Sequence, residues 1–167
     1  MPAQDLPLDC AISASYVNAS FADSYWVKVD PLPDSALAAY ILMVKQAPSW
    51  VNGLMSLRNQ IVKHLGLKDL GALASLDEQK NVVEYRVGDR LGIFSIVSLT
   101  RNELVLSDVD KHLRVQLSVQ RVDQAHQQGV SVTTVVHNHN LLGKVYMFFV
   151  APVHKLIVPA TLAKLGK

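Results

Sequence analysis

A chain of 167 residues, half of them hydrophobic and 18% charged, is long enough for one domain with a sizeable core and too apolar for intrinsic disorder. The formal charge of +2 is scattered without a basic block or aromatic-basic interleaving, so the electrostatic footprint of a nucleic-acid binder is missing. A single cysteine, Cys10, excludes an intramolecular disulfide and a cysteine-built zinc site; it favours a reducing, cytoplasmic setting in which Cys10 is inert.

Residues 1–20 show no clear period and are rich in small and polar types, which predicts an extended or partly ordered N-terminal arm ahead of a single domain over residues 21–167. The opening MPAQDLPLDC has neither the positive start nor the apolar run of a secretory signal. Alternating aromatic and β-branched residues in Ser24 to Val29 predict a first strand, ended by the turn Asp30-Pro31-Leu32-Pro33. Asp34 then stands where an N-cap belongs, before a helix with Leu37, Ile41 and Val44 on one face; Pro48 stops it. Ser49 can cap a second helix, Trp50 to Leu65, whose Trp50, Leu54, Leu57, Ile61 and Leu65 recur at helical spacing before Gly66.

From Val82 the period changes to two. Strands are predicted at 82–87, 92–100, 103–109, 112–122 and 130–139, with turn signals between them at Gly88-Asp89, Arg101-Asn102, Asp108 to Lys111 and the Gln-rich stretch ending at Gly129. Short connections imply an antiparallel meander. The row Leu113, Val115, Leu117 and Val119 faces a core, as does Val130, Val132, Thr134 and Val136, which turns His137 and His139 to the other face. Asn140 then caps a long apolar helix running to Lys164. Its length approaches the ~20 apolar residues of a membrane span. Lys144, His154, Lys155, Pro152 and Pro159 favour instead a kinked helix that completes the core, with no membrane span.

One strand, two helices, about five antiparallel strands and a long last helix make an α+β fold. The arrangement expected is a helix grip of the START and Bet v 1-like kind: a curved antiparallel sheet wrapped around the C-terminal helix, with the helix pair closing one end of the groove. The segments ADSYWVKV, PSWVNGLMSLRNQIVKHLGLK, VGDRLGIFSIV, NELVLSDVDKHLRVQLSV and VVHNHNLLGKVYMFFVAPVHKLIVPATL resemble the bacterial DUF2867 family, over about Phe21 to Leu165. The resemblance implies the Bet v 1-like fold and carries over no catalytic residue, because the family has no established activity. Some relatives join this domain to a nucleotide-binding reductase-like domain, of which this sequence has no counterpart.

Several constellations invite chemistry. His137 and His139 on one strand face can chelate a metal if His154 supplies a third ligand, although ending a strand before a helix cap explains them as well; no metal or other cofactor is expected. Asp108, Asp110 and His112 can do acid-base work or simply shape a turn. Trp26, Trp50, Tyr85, Phe94, Tyr146, Phe148 and Phe149 can line a pocket or fill a core. Arg58, Arg86, Arg90 and Arg114 can hold an anion at a pocket mouth or remain solvated surface charge. The glycines of Gly88 to Gly92 lack phosphate-loop spacing.

The leading expectation is therefore a binding domain whose hydrophobic pocket, between sheet and last helix, holds a small apolar ligand without turnover. Trp26, Phe94, Tyr146 and Phe149 would supply apolar contacts, and Tyr85, His112 or an arginine would set orientation. An enzyme of the cyclase or aromatase type using the same groove is the alternative. A third class is an interaction module, docking a partner or a membrane surface through Gly66 to Leu76 or the last helix. A buried cavity with an inward polar group favours the first two; a solid core beneath an exposed apolar patch favours the third. Oligomeric state is left open.

Overall fold

The computed structural model describes residues 3–51, 53–54, 81–124 and 127–166. Six strands, β1 (Phe21–Lys28), β2 (Arg90–Leu91), β3 (Phe94–Leu99), β4 (Glu103–Val109), β5 (Leu113–Gln124) and β6 (Gln127–Asn138), form one sheet in the order β1-β6-β5-β4-β3-β2. Every neighbouring pair is antiparallel, so β2 to β6 are a meander and β1 closes onto the last strand. Among the described residues, the helices α1 (Ala36–Lys45) and α2 (Leu141–Leu162) pack with the sheet in an α+β domain.

Both helices lie on the same face of the sheet. On β1 this front face carries Phe21, Asp23, Tyr25 and Val27, opposite Val136, Thr134, Val132 and Val130 of β6. Helix α1 packs over β4 and β5, burying Leu37, Tyr40, Met43 and Val44; α2 packs over β1 and β6. The main core gathers Tyr25, Tyr40, Leu104, Leu106, Leu117, Val119, Val132 and Leu162. A smaller cluster of Leu113, Val136 and Met147 lies beneath the start of α2, with Tyr146 and Phe21 against it.

The back face is covered by the N-terminal arm. Cys10 and Ile12 are buried against Val105 and Val135. The Ala11 amide donates to Glu103 Oε1 at 2.8 Å, and the same oxygen accepts from Ser118 Oγ at 2.6 Å. The Cys10 thiol lies 2.7 Å from the Tyr16 hydroxyl, which donates to the Pro7 carbonyl. Residues expected to form an extended or partly ordered arm are therefore a second layer, held by the burial of Cys10 and Ile12 on Val105 and Val135 and by the Ala11–Glu103 hydrogen bond.

Local chemistry accounts for the other departures from expectation. The first strand begins at Phe21, three residues before Ser24. Ser35, rather than Asp34, caps α1: its Oγ accepts from the Ala38 amide at 3.1 Å. Val82 to Val87 is no strand, since Asn81 and Glu84 form a reciprocal capping box that closes a 3-10 turn. The Gln-rich stretch is part of the β5–β6 hairpin, paired as far as Gln124 with Gln127. Gly129 thus lies inside β6, where a Cβ would collide with the Val27 carbonyl and the Trp26 ring. Residues 49–51 and 53–54 are helical, as Ser49 and Trp50 suggest, while the rest of Trp50 to Leu65 and all of Gly66 to Leu76 lie outside the described residues.

The largest correction concerns α2. Asn140 caps it as expected, its Oδ1 accepting from the Gly143 amide at 3.1 Å. The helix lies on the sheet in a helix-grip-like arrangement, but only 17% of its most apolar stretch is buried, and by length and composition it is sufficient to cross a membrane. One stripe, Gly143, Met147, Val158, Thr161 and Leu162, meets the sheet.

Three phenols give the fold a predictable pH response. Burial, then the neighbouring thiol, raises the Tyr16 pKa; burial, then the Asp23 carboxylate, raises that of Tyr25; burial alone raises that of Tyr40. Each folded-state value lies above the ordinary phenol value, so the stabilisation is complete below about pH 10 and is lost as pH climbs beyond it. Melting temperatures are expected to hold up to that point and to fall progressively above it. A flat profile beyond it would contradict these environments.

Candidate functional site

The front face of the sheet should be apolar, yet beneath α2 Asp23 and Thr134 interrupt it. Alternation along FADSYWVK puts Asp23 in the same row as Phe21 and Tyr25, and the β1–β6 register places Thr134 beside it. Helix α2 lowers His154 onto this spot. Its Nε2 is 3.1 Å from Thr134 Oγ1 and 3.3 Å from Asp23 Oδ1. The Asp23 side chain is 3% exposed and that of His154 22%. The Phe21 ring meets the imidazole edge-on, centroids 5.5 Å apart, and Lys155 Nζ is 5.9 Å from the centre of the same ring.

Taking a carboxylate out of water is costly unless hydrogen bonds replace the hydration. Neither Asp23 oxygen receives a well-directed hydrogen bond, and the close polar neighbours are His154 Nε2 and the Tyr25 phenol. The cluster is thus an acceptor-rich point in an apolar wall. An imidazole and a carboxylate in contact can share or pass on one proton.

A second polar group lies at the N-terminus of α2. Asn140 Nδ2 is 3.0 Å from both the Lys111 carbonyl and His112 Nδ1 while its Oδ1 caps the helix. His112 Nδ1 also lies 3.2 Å from Asn140 Oδ1, while its Nε2 is buried without a hydrogen-bond partner. Asp110 is a turn residue: its Oδ1 accepts from the His112 and Leu113 amides at 2.7 and 2.8 Å. Asp108 is buried in β4, 3.8 Å from Arg90 Nη1.

The residues expected to line one pocket do not converge. Phe149 is 67% exposed and points away from the sheet, packed edge-on against Phe148. Trp26 lies on the back face, its ring over Gly129, because an even-numbered position of β1 faces away from α2. Tyr85 is buried in the main core with Phe94 against it. His112 and Tyr146 belong to the other end, near Asn140 and Met147. The three histidines do not form a metal site: His137 bonds the Val17 carbonyl on the back face and His139 approaches the Asp110 carbonyl, whereas His154 is on the front. No group of three or more His, Cys, Asp or Glu suited to a metal occurs among the described residues. Arg86 bonds the Val83 and Tyr85 carbonyls, Arg90 the Ile93 carbonyl, Arg114 is exposed, and Arg58 lies outside the described residues.

A family described as proteins of unknown function, DUF2867, matches residues 15–161. The chain belongs to the DUF2867 family. The matched span takes in the whole DUF2867 sheet, the Asp23–Thr134–His154 cluster and nearly all of α2. No curated protein and no solved structure matches the chain.

Asp23 and Thr134 were not legible as site residues, and His154 only as a metal ligand. The signal existed. Extending the alternation of Tyr25 and Val27 back by one step places a carboxylate on an apolar row, which a strand started at Ser24 conceals.

Proposed function

We propose that this DUF2867 domain binds a small, largely apolar molecule between the sheet and α2, in the manner of Bet v 1-like helix-grip proteins, and that Asp23 and His154 hold its polar end. The observation that carries the reading is the Asp23 carboxylate, buried in an apolar wall with both oxygens short of directed hydrogen bonds. Binding sites for such molecules combine apolar walls with few polar groups. Phe21 and Tyr146, half-buried beside the cluster of Val136 and Met147, are placed to supply those walls. Because a carboxylate only accepts, the ligand presents a donor, a hydroxyl or an amine. The single cysteine, which can form no disulfide within the chain, supports a reducing, cytoplasmic compartment.

Native mass spectrometry of the full chain purified from its own host tests this directly. An apolar molecule of discrete mass is expected to remain bound, and long-chain alcohols or amines are expected to raise the melting temperature. Asp23→Asn should weaken that binding roughly ten- to a hundredfold, the effect of removing a charge-assisted hydrogen bond. No retained mass together with no shift from any such compound would refute the proposal.

The His154–Asp23 contact favours a second reading, an enzyme in which the pair moves a proton on a substrate held in the same place. The same measurement separates the two. A binding protein returns the molecule unchanged on release, and an enzyme returns an altered mass.

A further inference from the structure

We propose that the outward face of α2 docks on an anionic membrane surface, lying in the interface with its inner face still on the sheet. Leu141, Val145, Phe148, Phe149 and Leu156 are 75, 45, 76, 67 and 66% exposed. Their spacing, with exposed Pro152 between them, makes a continuous stripe on the side opposite Gly143, Met147, Val158 and Leu162. Two adjacent phenylalanines held out in water are unfavourable for a domain that could turn them inward, and here the inner positions are already taken.

Charge decides what covers the stripe. Lys144 and Lys155, both exposed, stand three helical turns apart, about 16 Å, on one flank of it. Lys164 follows, and no Asp or Glu occurs from His137 to Lys167. Two carboxylates close to the helix are committed elsewhere: Asp110 accepts turn amides and Asp23 is buried under the helix. An apolar helix face edged by cations and free of acids is the pattern of a helix lying in the headgroup layer of anionic lipid. A protein partner would be expected to meet a rim of mixed charge and hydrogen-bonding groups, which this stripe lacks. A second copy fits poorly, because two-fold antiparallel pairing of the stripe brings Lys144 of one copy toward Lys155 of the other. A span is disfavoured by the inner face, whose His154, Gly143 and Thr161 are engaged with the sheet or the helix backbone.

This inference stands apart from the ligand reading, and flotation of the full-length protein with lipid vesicles tests it. The protein is expected to float with phosphatidylcholine vesicles in which roughly a third of the lipid is phosphatidylserine, to stay behind with pure phosphatidylcholine, and to be released by salt. Phe148→Ala with Phe149→Ala should weaken partitioning roughly tenfold or more, and Lys144→Gln with Lys155→Gln roughly tenfold. The phenylalanine pair should not change the melting temperature, since both rings are exposed in the free protein, and the lysine pair should lower it only slightly, through the lost contact of Lys155 with the Phe21 ring. Three results would overturn the proposal: no flotation on anionic vesicles, flotation undiminished in the phenylalanine variant, or a dimer in sedimentation that this variant dissolves.

Discussion

Removing residues 141–167 is expected to leave unfolded or insoluble protein, although one face of α2 is exposed to solvent. The exposed stripe contributes nothing to that result. Met147, Val158, Leu162 and Leu165, each under 10% exposed, carry it. Burying four side chains of this size contributes on the order of 6 to 12 kcal/mol, against a typical domain stability of about 5 to 15 kcal/mol. Truncation would also open to water the front-face residues Tyr25, Val27, Val132 and Val136, and lose the contact between Gly143 and the His112 backbone. The measurement is expression followed by thermal melting monitored by circular dichroism. A soluble truncation that melts cooperatively would show that β1–β6 and α1 form an autonomous core. The phenylalanine pair substituted for vesicle binding is the internal control, since it removes large apolar side chains from the exposed face of the same helix and should leave stability unchanged.

Period and turn chemistry made most of the sheet legible. The row Leu113, Val115, Leu117 and Val119 faces the core as its alternation predicts, and Asn140 caps α2 because an amide side chain before an apolar run has few other uses. What failed has physical causes. Apolar content says that a helix avoids water, without saying what it avoids water with; α2 was therefore expected in the core, and its Phe149 in a pocket, when only one stripe meets the sheet. The packing of the arm was not legible for a different reason. Cys10 and Ile12 have no periodicity because they are pinned by single contacts to Val105 and Val135, not by a repeating element. Val82 and Val83 read as strand by propensity, but the Asn81–Glu84 box satisfies the backbone first. The site itself was hidden because its members are distant in sequence: β1 supplies Asp23, β6 Thr134 and α2 His154, and only register and helix placement unite them.

Replacing the Asp23–His154 pair by apolar residues, Asp23→Val with His154→Leu, is expected to stabilise the domain by about 1 to 4 kcal/mol while abolishing ligand binding. The argument turns on how poorly the pair is solvated. A buried carboxylate offsets its desolvation only when hydrogen bonds replace its hydration, and here neither Asp23 oxygen receives a well-directed one while His154 Nε2 stays 3.3 Å away. The surroundings already suit apolar side chains: Phe21 packs on His154, Tyr25 and Val136 are buried on the same face, and valine is at home in a strand. For a chain of this length such a gain corresponds to several degrees of melting temperature. Either single substitution is expected to be worse than the pair, because Asp23→Val removes the partner of His154 while His154→Leu leaves a buried carboxylate alone. A double variant less stable than the wild type by 3 kcal/mol or more, roughly the cost of breaking a pair that supports the fold, would identify Asp23 and His154 as structural and remove the reason for placing a ligand there. A stabilised variant that no longer binds would mean that these two residues are kept at the expense of stability, as groups that serve recognition commonly are.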